Sequence, residues 1–122
     1  MNKRKVNEDE ILDALSFLKG IEQAGIRELQ RFGIFSLIPK NQFITMEGDS
    51  CQFFSFVLSG KIKVYKTAEN GREITLYRLE KGQSCILTAS CILSNKKFPA
   101  ISFSEEAVGV ISIPSPLFLE WV

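Results

Sequence analysis

Residues 60–82 read GKIKVYKTAENGREITLYRLEKG, and this stretch decides the fold class. Ile62 and Val64 alternate with lysines, which predicts a strand with one buried face and one face in water. Asn70 and Gly71 then predict a tight two-residue turn, because such a turn needs positive φ at both central positions and these two residues tolerate it best. Apolar residues alternate again after the turn. The stretch therefore predicts a β-hairpin.

The segments on both sides of the hairpin are short, apolar and separated by turn-forming residues. The expected turns lie at residues 39–41, 47–50, 59–60, 69–71, 80–82 and 104–106. Such close and regular spacing favours a β-sandwich or barrel over alternating strands and helices. The sequence between residues 34 and 113 is therefore predicted to be mainly β.

Helical patterns flank this β region. Residues 1–33 form an N-terminal segment with two predicted short helices, the first capped by Asn7 and the second spanning residues 22–32. At the other end, Ser115 is a good N-cap and Pro116 suits the first helical turn, where its missing N–H costs nothing. The sequence thus predicts that another helix begins near residue 115.

Composition narrows the function classes. The chain has 122 residues, enough for one domain, and fifteen basic against fourteen acidic residues give a net charge of +1. Nucleic-acid binding depends on clustered positive charge, so this segment is not expected to bind DNA by itself. The densest basic cluster, KRK at residues 3–5, is interpreted as a solvated tail rather than as a phosphate-binding arm.

The chain has no histidine and three cysteines. Most zinc sites, cupin-type metal sites and Ser-His or Cys-His nucleophilic pairs need an imidazole, so we expect neither an enzyme nor a cofactor. No apolar run is long enough to cross a bilayer, and the N-terminus lacks the apolar segment of a signal peptide. Together with the few cysteines, this predicts a cytoplasmic protein that does not bind membranes.

The ordered set of motifs resembles the sensor domain of the Crp/Fnr family of bacterial transcription regulators. The matching elements are EGD (47–49), VLSGKIKVYK (57–66), ENGREI (69–74) and LEKG (79–82). The resemblance implies a cyclic-nucleotide-binding-like jelly roll, a double-stranded β-helix barrel, over residues 34–113. It also implies that residues 114–122 begin a dimerisation helix, so that the full-length protein is a homodimer. DNA would be bound only by a C-terminal domain that these 122 residues do not include.

The sequence departs from its relatives after the LEKG turn. Relatives that bind cyclic AMP carry Gly-Glu and then Arg-Ser-Ala there, since the arginine pairs with the cyclic phosphate and the glutamate accepts from the ribose hydroxyl. Ile86-Leu87 and Phe98-Pro99-Ala100 stand at those places here. Burying a phosphate without a cation is costly. The resemblance therefore implies that cyclic nucleotide is not the ligand, with Lys96 or Lys97 as an alternative anion contact.

An apolar effector pocket with a few hydroxyls and thiols is predicted in place of the phosphate site. Its candidate lining residues are Cys85, Leu87, Thr88, Ser90, Cys91, Pro99 and Ala100. Such a pocket suits a small neutral or weakly polar effector, whose identity the sequence does not give. In the alternative interpretation these side chains fill the space themselves and close the core.

The cysteines leave three interpretations open. Iron–sulfur clusters commonly take four thiolates, and Cys51, Cys85 and Cys91 are three residues without clustered spacing. A reversible thiol switch between Cys85 and Cys91 requires proximity and a neighbour that lowers a thiol pKa. Free buried cysteine is the favoured interpretation.

The sequence thus predicts an effector-sensing regulatory domain of a Crp/Fnr-type transcription regulator. One alternative attaches the same module to a non-DNA-binding protein, such as a kinase or a channel, or uses it for dimerisation only. Another retains cyclic nucleotide as the ligand through Lys96 or Lys97. A cupin-like enzyme would share the jelly roll but would need histidines that are missing.

Overall fold

The computed structural model describes residues 2–5 and 31–120, which form eight strands and two complete helices. The strands are β1 (Asn2–Lys5), β2 (Ile34–Ile38), β3 (Phe43–Thr45), β4 (Phe53–Ser59), β5 (Ile62–Thr67), β6 (Glu73–Leu79), β7 (Ile101–Ser104) and β8 (Val108–Pro114). The helices are α1 (Ile86–Ser94) and α2 (Ser115–Glu120). The first predicted N-terminal helix and residues 22–30 of the second lie outside the described residues. Arg31 and Phe32 are helical.

The strands form two antiparallel four-stranded sheets. The first sheet has the order β1-β2-β8-β4, and the second has the order β3-β7-β5-β6. Strand β8 lies between β2 and β4, while β7 lies between β3 and β5, so the chain crosses repeatedly from one sheet to the other. These crossovers produce a jelly-roll-like sandwich. The prediction of a mainly β, jelly-roll fold is confirmed.

The β5–β6 hairpin is present, but its predicted turn is wrong. Gly71 has φ +83°, whereas Asn70 does not adopt positive φ. The N–H of Gly71 donates to the Ala68 carbonyl at 2.9 Å and that of Ala68 donates to the Arg72 carbonyl at 2.8 Å. The loop therefore has three residues and ends on a left-handed glycine. Asn70 stabilises it through its side chain instead, since its Oδ1 accepts from the Arg72 N–H at 3.0 Å.

The basic N-terminal segment is also not a tail. Residues 2–5 form the edge strand β1, which pairs with β2 in a register that places Asn2 opposite Leu37 and Lys5 opposite Ile34. The prediction of a solvated tail is wrong, because the backbone of residues 2–5 is paired with β2. Lysine and arginine are common on edge strands because their charge discourages pairing with a further strand.

The first sheet has a hydrophobic cluster on each face. The helix-side cluster consists of Phe35, Phe54, Phe56, Ile92, Ile111 and Ile113, with Leu117 and Phe118 packed against it. The inter-sheet cluster lies between the two sheets and includes Val57, Ile62, Val64, Phe98, Ala100 and Val108. Burial of Ile62 and Val64 confirms the inward face predicted for β5.

Helix α2 begins at Ser115, as the sequence predicts. The Ser115 N–H donates to the Gln52 carbonyl at 2.8 Å, and the Phe118 ring stacks on the Phe54 ring with centroids 4.2 Å apart. These contacts hold the start of α2 against β4 and the helix-side cluster. In the part of the chain that the structure describes, no helix has the length and apolar character needed to cross a bilayer.

Candidate functional site: a cavity between the sheets

A cavity of about 530 Å³ lies between the two sheets. This volume is within the range of roughly 300–1,000 Å³ that is typical of small-molecule pockets. Its apolar walls include Ile34, Ile38, Val57 and Val110 of the first sheet and Ile62 and Leu79 of the second. The inter-sheet space is thus only partly filled by the core. The alternative that the predicted pocket residues themselves fill the core stays a prediction.

Serine hydroxyls line the first sheet's wall of the cavity. Ser36, Ser55 and Ser112 come from the adjacent strands β2, β4 and β8. Ser55 lies directly opposite Ser112 in the β4–β8 register, and their hydroxyls share a hydrogen bond of 2.6 Å. Side chains two residues apart share one face of a strand, so Ser36 lies on the same face as Ile34 and Ile38.

The second sheet adds hydroxyls, and the loop before β4 adds a single charge. Thr45 and Ser102, which pair across β3 and β7, both line the cavity. Asp49 is the one charged residue among the described lining residues, and its Oδ2 accepts from the Met46 N–H at 2.8 Å. No lysine or arginine in the described part of the chain lines this cavity. Its local electrostatics therefore disfavour an anion.

The structure brings only some of the predicted pocket residues to the cavity. Cys85 and Thr88 line it, at the start of α1. Leu87 is half-buried and packs against the inter-sheet cluster, and Cys91 and Ala100 are buried within that cluster. Ser90 and Pro99 are exposed. Whether any of the seven binds an effector stays a prediction.

The two candidate anion contacts are exposed lysines in the loop that follows α1. The Lys97 ammonium donates to the Ser50 hydroxyl at 2.7 Å, and Ser50 lines the cavity. Lys97 thus lies at the edge of the cavity. The backbone carbonyl of Lys96 accepts from the Cys91 thiol at 2.7 Å, which ties the loop to α1.

Phe98, which the resemblance aligns with the phosphate-binding arginine, is a core residue. Its side chain is 1% exposed within the inter-sheet cluster. Its N–H donates to the Asp49 carbonyl and its carbonyl accepts from the Gly48 N–H, both at 2.9 Å. The backbone at this position is therefore fixed to the EGD turn, and the ring fills space between the sheets.

Sequence reasoning missed most of the hydroxyls, above all Ser36, Ser55, Ser102 and Ser112. A signal was present in the strand IFSLI, where Ser36 interrupts the face formed by Ile34 and Ile38. A serine on an otherwise apolar inward face marks either a buried hydrogen bond or a polar contact with a ligand.

The three thiols lie close to one another beside the cavity. Burial, helped by the adjacent Cys91 thiol and by the charges that Cys85 and Asp49 would carry, raises the pKa of Cys51 to about 12. The Tyr77 hydroxyl lies 3.1 Å from the Cys85 sulfur, and burial together with this contact raises the tyrosine pKa as well. For Cys51 the surroundings are the opposite of those that activate a redox thiol.

Alkylation of native Cys51 is therefore expected to be slow, because the thiolate is the reactive species. A rise in its pKa from 9.0 to about 12 lowers the thiolate fraction at neutral pH about a thousandfold. Iodoacetamide labelling at pH 7.5, followed by peptide mass spectrometry, measures this rate. The same reaction in concentrated urea provides the control. Native labelling within tenfold of the denatured rate would contradict the assignment.

The thiols do not form a metal site with neighbouring acids. Among residues 2–5 and 31–120, no group of three His, Cys, Asp or Glu side chains is placed to hold a metal ion. The chemical character of the site is thus that of a binding cavity, with hydroxyl donors and acceptors on both walls and thiols near α1.

Comparison with known proteins agrees with this architecture. The model of the cyclic nucleotide-binding domain family matches residues 36–122. A Ruegeria pomeroyi structure described as a cyclic nucleotide binding protein has a TM-score of 0.82 at 15% identity, covering 95% of this chain and 52% of that one. The catabolite activator protein of Thermus thermophilus has a TM-score of 0.73 at 21% identity, covering 85% and 48%.

A third similar structure is the regulatory subunit of a cAMP-independent protein kinase A from Trypanosoma cruzi, bound to guanosine. Its TM-score is 0.77 at 14% identity, and the match covers 90% of this chain and 38% of that one. The chain thus spans about half, or less, of the length of the structures it matches. Curated protein sequences give no match. From the family match over residues 36–122, the chain belongs to the cyclic nucleotide-binding domain family.

Proposed function

We propose that this chain is the effector-sensing domain of a Crp/Fnr-type transcription regulator, and that its effector is not a cyclic nucleotide held through its phosphate. The observation that carries the proposal is the cavity between the sheets, which has hydroxyls on both walls and no described cation in its lining. In this proposal the domain acts by binding rather than by catalysis, since the chain has no histidine and the described residues that line the cavity include no paired acid and base.

The phosphate argument depends on two positions. Asp49 contributes negative charge to the cavity, and Phe98 places an aromatic ring in the core where the resemblance aligns an arginine. A buried phosphate needs charge-assisted hydrogen bonds, which Arg provides bidentately. Without such a partner, the desolvation of the phosphate is not offset. A neutral effector avoids this penalty.

Helix α1 is the element that would transmit the binding signal. Cys85 and Thr88, at its start, line the cavity, whereas Ile92, one turn further on, lies in the helix-side cluster. Phe118 of α2 packs against the same cluster. An effector that moves α1 would therefore change the packing of α2. Such a two-state coupling between a cavity and a helix is a common form of regulation.

The remaining parts of the proposal follow the family resemblance. A continuation of α2 would pair two copies in a homodimer, DNA would be bound by a domain C-terminal to residue 122, and the protein would act in the cytoplasm. A helix-turn-helix pattern in the gene downstream of codon 122 would support this assignment. A kinase or channel sequence there would favour the alternative of a regulatory module in a non-DNA-binding protein.

The position of Lys97 favours a second candidate, an anionic effector bound at the edge of the cavity. Its ammonium donates to Ser50, which lines the cavity, so a phosphate near Ser50 would meet one positive charge. The nearby Asp49 carboxylate opposes such a ligand. The neutral effector is therefore preferred.

Cyclic AMP and cyclic GMP at millimolar concentration are expected to leave the melting temperature unchanged. A ligand at a hundred times its dissociation constant adds about 2.7 kcal/mol of stability, which a thermal melt detects readily. The melt is run on the wild-type chain and on Lys97→Ala. Stabilisation of both proteins would overturn the proposal, and stabilisation lost in Lys97→Ala would establish the anionic alternative.

A further inference from the structure

Helix α1 has no capping side chain of its own at its N-terminus. Cys85 occupies the N-cap position with an extended backbone, and its side chain makes no capping hydrogen bond within the described part of the chain. The first turn of the helix contains no acidic residue. The first N–H groups of a helix have no partner inside it, and a side-chain oxygen usually supplies one. The start of α1 therefore needs a partner from elsewhere in the fold.

Tyr77 of β6 supplies that partner from the second sheet. Its hydroxyl accepts from the Leu87 N–H at 3.5 Å and lies 3.1 Å from the Cys85 sulfur. Leu87 is the second residue of α1, and the N–H at this position is one that an N-cap side chain ordinarily binds. A phenol can donate to the sulfur while it accepts from the amide. The Tyr77 hydroxyl thus takes the place of the capping oxygen that Cys85 does not provide.

The residues of this contact are packed against the core. Tyr77, Cys85 and Leu87 are all half-buried against the inter-sheet cluster. Tyr77 lies opposite the fully buried Val64 in the β5–β6 register, which places its ring on the inward face of the second sheet. Burial, helped by the contact with Cys85, raises the pKa of the Tyr77 hydroxyl, so the hydroxyl stays protonated at neutral pH. It therefore keeps both of its hydrogen-bonding roles.

The segment just before α1 is bonded to the other sheet. The Gln83 carbonyl accepts from the Val57 N–H at 2.9 Å. Ser84 pairs with Phe56 in an isolated bridge, and both Phe56 and Val57 belong to β4 of the first sheet. The start of α1 is therefore bonded to both sheets, by backbone groups on one side and by the tyrosine hydroxyl on the other. The side-chain contact can break without disturbing a strand.

We propose that Tyr77 is a positioning residue that caps α1 from the second sheet, and that movement of β6 away from β4 uncaps the first turn of this helix. Cys85 and Thr88, at that turn, line the cavity, so an occupant that widens the space between the sheets acts on this contact. Loss of the cap loosens the turn that precedes Ile92 and the helix-side cluster. This inference rests on the proposed role of α1 in transmitting binding, and it names the contact that holds the helix in place.

Hydrogen exchange of the free chain, followed by NMR, tests the cap. Tyr77→Phe keeps the ring and removes the hydroxyl. We expect the Leu87 amide, and the Ala89 amide that donates to the Cys85 carbonyl at 3.1 Å, to exchange about fivefold faster, as for the loss of a helix cap. Tyr65→Phe, which removes the other tyrosine hydroxyl of the chain, is the control and should leave both amides unchanged. Unchanged exchange in Tyr77→Phe, or equal acceleration in both variants, would overturn the inference.

Cys85→Ser provides a rescue that a merely structural role of Tyr77 would not show. Serine is among the best N-cap residues, and the extended backbone at position 85 suits a cap. In this background, Tyr77→Phe should change the exchange of the Leu87 amide by less than about twofold, because the helix then carries its own cap. The same acceleration in both backgrounds would contradict the proposed cap. Stabilisation of the wild-type chain by cyclic AMP would instead overturn the proposed function and leave the cap in place.

Discussion

Replacing Gly60 with alanine is expected to lower the free energy of unfolding by about 3 kcal/mol. This is a large fraction of the total, which is about 5–15 kcal/mol for a typical domain. Gly60 joins β4 to β5 with φ +85°, a conformation that costs any residue with a Cβ. A Cβ at this position would also overlap the carbonyl oxygen of Ala107 and lie 2.9 Å from the Cα of Val108. Both are backbone atoms, so neither can move without distorting the chain around residues 107–108.

Gly71→Ala is the matched control for this prediction. Gly71 has nearly the same backbone conformation, with φ +83°, but an added Cβ would meet nothing within 4 Å. The Gly71→Ala variant should therefore lose only about 1 kcal/mol of its free energy of unfolding, which is the cost of the left-handed conformation for a residue with a Cβ. Urea denaturation of the two variants measures the difference. Similar losses would show that the contact between the β4–β5 turn and residues 107–108 is not tight.

An arginine at Phe98, the position that the resemblance aligns with the phosphate-binding arginine, is expected to damage the fold rather than create a phosphate site. Phe98→Arg should cost about 4 kcal/mol or more, because it removes a buried ring and places a guanidinium among Val64, Ala100 and Val108. The backbone at residue 98 cannot turn the side chain outward easily, since both its N–H and its carbonyl are bonded to the EGD turn.

Phe98→Leu and Lys97→Arg are the controls. The leucine variant keeps an apolar side chain and should lose about 1–2 kcal/mol, while the arginine at the exposed neighbouring position should be nearly neutral. Stability is read from urea denaturation with and without cyclic AMP. A well-folded Phe98→Arg protein that cyclic AMP stabilises would show that the cavity still accepts a phosphate.

These two predictions concern different determinants of the domain. Gly60 concerns the backbone path that brings β4 and β5 together, and Phe98 concerns the side chain that fills the inter-sheet space. If both hold, the stability of the jelly roll depends on the backbone path at Gly60 and on the packing of Phe98 between the sheets.

Much of the fold was predictable because it is local. The alternation around Ile62 and Val64, the turn residues near Gly71 and the N-cap at Ser115 act through neighbours in the chain, and the structure has the hairpin and the helix at those places. The detail that failed was the type of turn. The Asn70 side chain accepts a hydrogen bond from the Arg72 N–H while its backbone does not adopt positive φ. The Asn-Gly dipeptide alone does not show which of these two roles Asn70 takes.

The cavity was predicted only in part because its walls are distant in sequence. Cys85 and Thr88 were identified from the segment after the LEKG turn, but Ser36, Ser55 and Ser112 come from strands that meet only through the register of β2, β4 and β8. Likewise, the basic segment 3–5 has no local reason to be a strand, since its hydrogen-bond partners lie on β2.

The sequence by itself determined a mainly β domain, a hairpin over residues 60–82 and a helix from Ser115. Only the tertiary structure decided that Phe98 fills the core, that Lys97 lies at the cavity edge beside Ser50, and that Ser36 and Ser102 line one cavity from opposite sheets. The physical reason is that strand propensity and capping are short-range, whereas strand order and register determine which side chains enclose a space.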